Sequence, residues 1–131
     1  MQEVRVYREI AYGGHALQKL DMYLPQGQGF YTIVHFHGGA LTSGDKGEPH
    51  FAEMAHRFAQ SGYGFVAANY RMYPHAKYPE YLEDGAAAVA QVRRVIKDYG
   101  GNGELIVSGQ SAGAWMSAML CFNPAFWPPR E

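Results

Sequence analysis

Residues Gly109-Gln110-Ser111-Ala112-Gly113 constrain this chain more than any other stretch. They follow an apolar run, Glu104 to Ser108, and lead into Ala114 to Leu120, which is compatible with a helix. A strand that passes straight into a helix must turn sharply, and flanking glycines give it room. A serine in the middle of such a turn is held in a strained conformation with its hydroxyl exposed, as in a nucleophile elbow. The plain alternative is a small residue in a glycine-rich turn. The position between a buried strand and a helix favours the elbow.

The rest of the chain supplies matching elements. Val4 to Ile10 alternates apolar and charged residues, as a half-exposed strand does. Leu20 to Leu24 alternates again and stops at Pro25, which predicts a hairpin. Tyr31 to Phe36 and Phe65 to Ala68 are largely apolar without clean alternation, the pattern of strands buried on both faces. Phe51, Met54, Ala55 and Phe58 share one helical face, opposite Glu53, Arg57 and Gln60. Leu82, Ala86, Val89, Val92, Ile96 and Tyr99 form the stripe of a second helix, with Arg93, Arg94, Lys97 and Asp98 on its wet side. Leu41 to Pro49 and Arg71 to Pro79 read as loops. A strand pair followed by alternating strands and helices predicts an α/β fold, its sheet mostly parallel and flanked by helices.

Composition removes several function classes. The 131 residues leave room for one domain with a modest core. Net charge is −1 with no long run of one sign, which points away from nucleic acid and anionic membranes. No apolar run approaches the ~20 residues that span a bilayer. Cys121 is the lone cysteine, so no intrachain disulfide can form and a reducing compartment is favoured. It reads as a small buried hydrophobe rather than a reactive thiol. Met1 to Val6 lacks the basic and apolar regions of a secretory signal, so the expected location is cytoplasmic.

A second motif, His35-Phe36-His37-Gly38-Gly39-Ala40-Leu41, ends another buried strand. Glycines there let backbone N–H groups face a developing oxyanion without obstruction by side chains. Parallel strands would open both loops at one sheet edge, where ligands collect in α/β folds.

With both motifs in view, the sequence resembles an α/β-hydrolase of the esterase and lipase type, near the hormone-sensitive-lipase-like and acetyl-esterase branches. The segments that carry the resemblance are His37 to Ala40, Asn69-Tyr70-Arg71 through Pro79-Glu80 and Leu82-Glu83-Asp84, and Gly109 to Gly113. It covers nearly the whole chain, read as a single partial domain over residues 1–131 that lacks the C-terminal strands. The resemblance implies Ser111 as nucleophile and the N–H groups of Gly39, Ala40 and Ala112 as the oxyanion hole. His37, Gly38, Gly109 and Gly113 would hold the motifs in shape. Ala40 stands where many relatives carry a third glycine, which narrows the acyl pocket. Arg71 and Asp84 match positions with a structural role. Tyr70, Tyr73, Tyr78 and Tyr81 either pack or line a substrate mouth, with packing the stronger account. His35 reads as a strand residue, and His15, His50, His56 and His75 as solvated. Their spacing suggests no metal site, and no cofactor is implied.

In this fold the triad runs Ser, then Asp or Glu, then His. After Ser111 the one acid is Glu131, and every histidine precedes the serine. Loss of the base of a serine triad costs ~10⁶ in turnover. The chain is therefore expected to be the N-terminal half of a serine carboxylester hydrolase for small or acetylated esters, nearly inactive alone. The strand ending at Ser108 would be an exposed edge open to a second copy or a complementing chain, unless the apolar tail Phe122 to Pro129 covers it. The alternative is a non-catalytic binding or assembly module that oligomerises through that edge.

Overall fold

The computed structural model describes residues 3–126. Strands β1 (Arg5–Ala11) and β2 (Lys19–Leu24) form the expected hairpin. Then come β3 (Phe30–Phe36), α1 (Pro49–Gln60), β4 (Gly64–Ala68), α2 (Glu80–Val95), β5 (Gly101–Gly109) and α3 (Ala112–Phe122). The sheet order is β1-β2-β4-β3-β5. β4, β3 and β5 run parallel, whereas β2 joins β4 antiparallel, so the sheet is mixed.

Alternation along the strands explains both faces. Leu20, Met22 and Leu24 point to the side of Val34, Phe36, Val66 and Ala68, where α2, the turn after it and α3 bring Leu82, Val89, Val92, Ile96, Met116 and Leu120. Tyr23, Ile33, Phe65 and Ala67 point the other way and meet Ala55 and Ala59 of α1. Strands covered on both faces lose the period-2 contrast of apolar and polar residues. Pro49 opens α1, where its missing N–H costs nothing. Helix α1 rotates slightly from the expected face, burying Ala59 and leaving Phe58 exposed. The α2 stripe extends beyond Val95 only as a tight 3₁₀ turn, Ile96–Tyr99.

β5 is the edge strand, as expected, and Ile106 is 46% exposed on it. Beside it, α3 is apolar on nearly every side, with Trp115 40% and Phe122 85% exposed. Phe126 packs against the larger core, while Trp127 to Pro129 of the expected covering tail lie outside the described residues. Cys121 is half-buried, and burial raises its thiol pKa. Among the described residues no helix is long and apolar enough to cross a membrane.

Two contacts set the end of the sheet from which the β3 and β5 loops leave. His35 pairs with Ser108 in the β3–β5 register, and its Nδ1 shares a 2.9 Å hydrogen bond with Ser108 Oγ. Its ring lies between Phe51 and Phe65, each 5.5 Å away. Burial, helped by the proximity of His37 and His50, pulls its pKa down to about 4. The other contact is between backbones. A Cβ on Gly113 would lie 2.0 Å from the Phe36 carbonyl oxygen, and one on Gly109 would lie 2.1 Å from the Gly113 carbonyl oxygen. Neither neighbour is a flexible side chain, so only glycine fits at either position.

Gly113→Ala should therefore destabilise the chain by about 3 kcal/mol or more. Gly14→Ala, where nothing lies within 4 Å of the added methyl, should shift stability by no more than about 0.5 kcal/mol. Urea unfolding of both variants checks the contrast; equal effects would refute the close approach. For His35, a depressed folded pKa gives stability that is complete above the unfolded value and lost as pH falls through the folded one. From pH 6.5 down to about 4 the wild type should lose on the order of 3 kcal/mol through this residue. His35→Gln does not titrate, so its stability–pH curve should be flatter than the wild-type curve across that window. Parallel curves would contradict the assignment.

Candidate active site

The loops that follow β3 and β5 leave the same edge because these strands are parallel neighbours, with Phe36 opposite Gly109. The Gln110 N–H still donates to the Phe36 carbonyl at 3.2 Å, and the Gly113 N–H donates to Gln110 at 2.9 Å, which starts α3. Ser111 is caught between these bonds with φ +54° and ψ −116°. A side chain rarely adopts that conformation, and holding one there costs roughly 1–3 kcal/mol. Ser111 is exposed, and its carbonyl accepts the Trp115 N–H at 3.1 Å.

Across from it, the glycine loop is strained in the same sense. Gly39, Ala40 and Leu41 have φ of +123°, +57° and +64° in succession. The Gly39 carbonyl turns into the loop and accepts the N–H groups of Thr42 and Ser43, both at 3.0 Å. In a trans peptide the N–H lies opposite the carbonyl, so the Ala40 N–H faces away from the loop interior. Gly38 closes the gap between loops: a Cβ there would sit 2.9 Å from the Gln110 carbonyl oxygen and 3.2 Å from Ser111 Cβ. A cavity of about 620 Å³ opens beside Ser111, with Gly38, Gly39 and Gln110 near the serine and Asp45, Glu48 and His50 on further walls. Ala40 and Ala112 adjoin Gly39 and Ser111 in the chain but do not line this cavity.

His37 shapes the loop from beneath. It is buried, its Nδ1–H donates to the Gly38 carbonyl at 2.7 Å, and its ring stacks on Tyr70 at 4.6 Å. The Tyr70 hydroxyl donates to the His37 carbonyl at 2.8 Å. Burial lowers the His37 pKa against the pull of the Gly38 carbonyl. Tyr70 itself is fully buried, and burial raises its pKa to about 12. The other tyrosines divide. Tyr73 and Tyr78 are more than half exposed, while half-buried Tyr81 meets Tyr78 and Trp115 edge to face. Asp84 is buried and held by the Arg71 guanidinium at 2.8 and 2.9 Å and by the Gln18 amide at 2.9 Å. That pairing anchors the 71–79 loop to the first turns of α2.

His50 adds a residue to the cavity wall. It is exposed, as expected, yet it stands on the wall of the serine cavity with its ring 4.0 Å from Phe51. The signal was Pro49, which marks the helix start just behind the glycine loop. His15 and His75 are exposed, and half-buried His56 meets Tyr23 at 5.2 Å. Among the described residues no histidine hydrogen-bonds Ser111.

Comparison with known proteins agrees with this geometry. A model of the BD-FAE family matches residues 20–125. Over 124 residues the chain is 34% identical to a probable isoprenylcysteine α-carbonyl methylesterase of Oryza sativa subsp. japonica, covering 92% of this chain and 29% of that protein. It is 32% identical over 132 residues to esterase LipQ of Mycobacterium tuberculosis, covering 94% of this chain and 31% of that one. A truncated carbohydrate esterase from gut microbiota shares the fold, with a TM-score of 0.80 at 22% identity over 88% of this chain and 42% of that chain. The chain thus spans about three-tenths of the length of these curated relatives. On the match over residues 20–125, the chain belongs to the BD-FAE family, and its sheet is that of an α/β-hydrolase-fold esterase.

Proposed function

We propose that this chain carries the nucleophile and the oxyanion hole of a serine carboxylester hydrolase. The observation behind this reading is the meeting of two strained turns. Ser111, Ala40 and Leu41 are three of the four non-glycine residues with positive φ in the described chain, and both turns leave one sheet edge. Strain of this kind gathers at active sites because it pre-organises them.

The Ser111 hydroxyl would attack the ester carbonyl carbon. The oxygen of the tetrahedral intermediate would accept N–H donors from Gly39, Ala40 and Ala112, each worth ~10²–10³ in rate. A base takes the Ser111 proton and returns it to the departing alkoxide, leaving an acyl-Ser111 ester that water then cleaves. No histidine hydrogen-bonds Ser111 among the described residues, so the reading assigns the base and its orienting acid to polypeptide outside the 131 residues. The β5 edge, with Ile106 exposed on it and Trp115 and Phe122 exposed on neighbouring α3, is the surface on which that polypeptide would dock. The reading takes small or acetylated esters as the substrates. The rival, a non-catalytic assembly module, draws on the same edge but assigns nothing to Ser111.

A fluorophosphonate probe separates the two readings. Over long incubation, intact-mass spectrometry should show one slowly formed adduct on the wild-type chain and none on Ser111→Ala. Ester turnover by the chain alone should lie ~10⁶ below that of a complete triad. Equal labelling of wild type and Ser111→Ala would remove Ser111 from the chemistry. Light scattering then examines the edge: a stable, soluble monomer argues against the assembly module.

A further inference from the structure

Lys46 lies in the loop between β3 and α1, yet it is only 5% exposed. Its Nζ is 2.9 Å from Asp21 Oδ1 of β2 and 2.6 Å from Glu9 Oε1 of β1. Asp21 is itself 1% exposed, and Arg8 reaches its second oxygen at 3.8 Å. β1 bulges to receive the pair: Glu9 has φ +58°, and its N–H donates to Asp21 Oδ1 at 2.9 Å. The backbone of the loop is tied as well. The Lys46 N–H donates to Asn69 Oδ1 at 2.9 Å, and Asn69 Nδ2 donates to Asp45 Oδ1 at 2.9 Å. The Tyr12 hydroxyl holds the Asn69 carbonyl at 2.6 Å. Burial pushes the Lys46 ammonium pKa down, but the two carboxylates outweigh it and keep the group charged.

For stability alone this arrangement is a poor choice, because apolar residues often replace a buried ion pair without loss. What an ion pair adds is directionality. The glycine loop has one anchor at His37 and Tyr70, a middle one where Leu41 accepts the Tyr73 N–H at 2.8 Å, and a far one at Asp45 and Lys46. The left-handed turn at Gly39 to Leu41 hangs between them. We propose that Lys46 is a positioning residue for the oxyanion loop, locking its far end to the β1–β2 hairpin and so holding the Gly39–Leu41 turn against Ser111. This rests on the Ser111 reading above, and it makes the hairpin part of the site.

The test uses Lys46→Met and the double variant Asp21→Asn with Lys46→Met. The single variant takes from buried Asp21 its buried ammonium partner, so it should lose stability and slow phosphonylation of Ser111 by about tenfold or more, up to the ~10²–10³ of a lost oxyanion donor. The double variant removes the Asp21 charge as well. It should recover stability while phosphonylation stays slow and amide exchange at Thr42 and Ser43 stays fast relative to α1 and β4. Recovery of rate and exchange together with stability would overturn the proposal, as would an unchanged rate in Lys46→Met. If Ser111→Ala is labelled like wild type, the Ser111 reading fails; in that case, or where labelling without the base is too slow to follow, exchange at Thr42 and Ser43 alone decides the role of Lys46.

Discussion

The first turn of α3 crosses the end of β3 with nothing but backbone between them. Gly113 lies so close to the Phe36 carbonyl that a single methyl group would collide with it. That contact fixes where the helix starts, and the helix start fixes Ser111. β3 continues directly into the glycine loop, so the same contact sets the distance between the serine turn and its neighbour. The two halves of the site thus meet through sheet register, Phe36 opposite Gly109, rather than through adjustable side chains. Backbone contacts of this kind deform little, because any shift must break ladder hydrogen bonds on both strands.

Strain and support are divided between the two sides of the sheet. The α2–α3 side is a continuous apolar core. The α1 side carries fewer apolar residues and buries Asp21, His35 and Lys46 as well. Polar burial is costly unless each group finds a partner, and here most partners lead towards the glycine loop. Asp21 holds Lys46, Asn69 holds both Asp45 and the Lys46 backbone, and His35 holds Ser108 beneath the elbow. Left-handed Ala40 and Leu41 would relax in a free loop. In this fold they are bracketed by fixed points before and after.

Much of this is legible in the residues themselves. The elbow, the glycine loop and the α2 stripe each combine a local pattern with a geometry that admits few alternatives. The same logic fails where long-range partners decide. Asp21 sits at an alternate position of β2 and reads as solvent-facing, yet β4 and the loop cover it. Lys46 stands in a polar, glycine-containing loop and reads as solvated, because nothing local announces carboxylates from two other strands. Phe58 and Ala59 exchange roles through a small rotation of α1 that periodicity does not resolve. The tyrosines of residues 70–81 look alike in sequence, but the stacking of His37 buries only Tyr70.

For Ser111 to act as the nucleophile, the glycine loop must present its N–H groups to chemistry there. A crystal structure of the chain after reaction with a small phosphonate measures this directly. The phosphonyl oxygen should lie about 2.7–3.1 Å from N–H groups of Gly39, Ala40 and Ala112, the spacing of a working oxyanion hole. A phosphonyl oxygen turned to solvent, with those N–H groups bonded elsewhere, would contradict it.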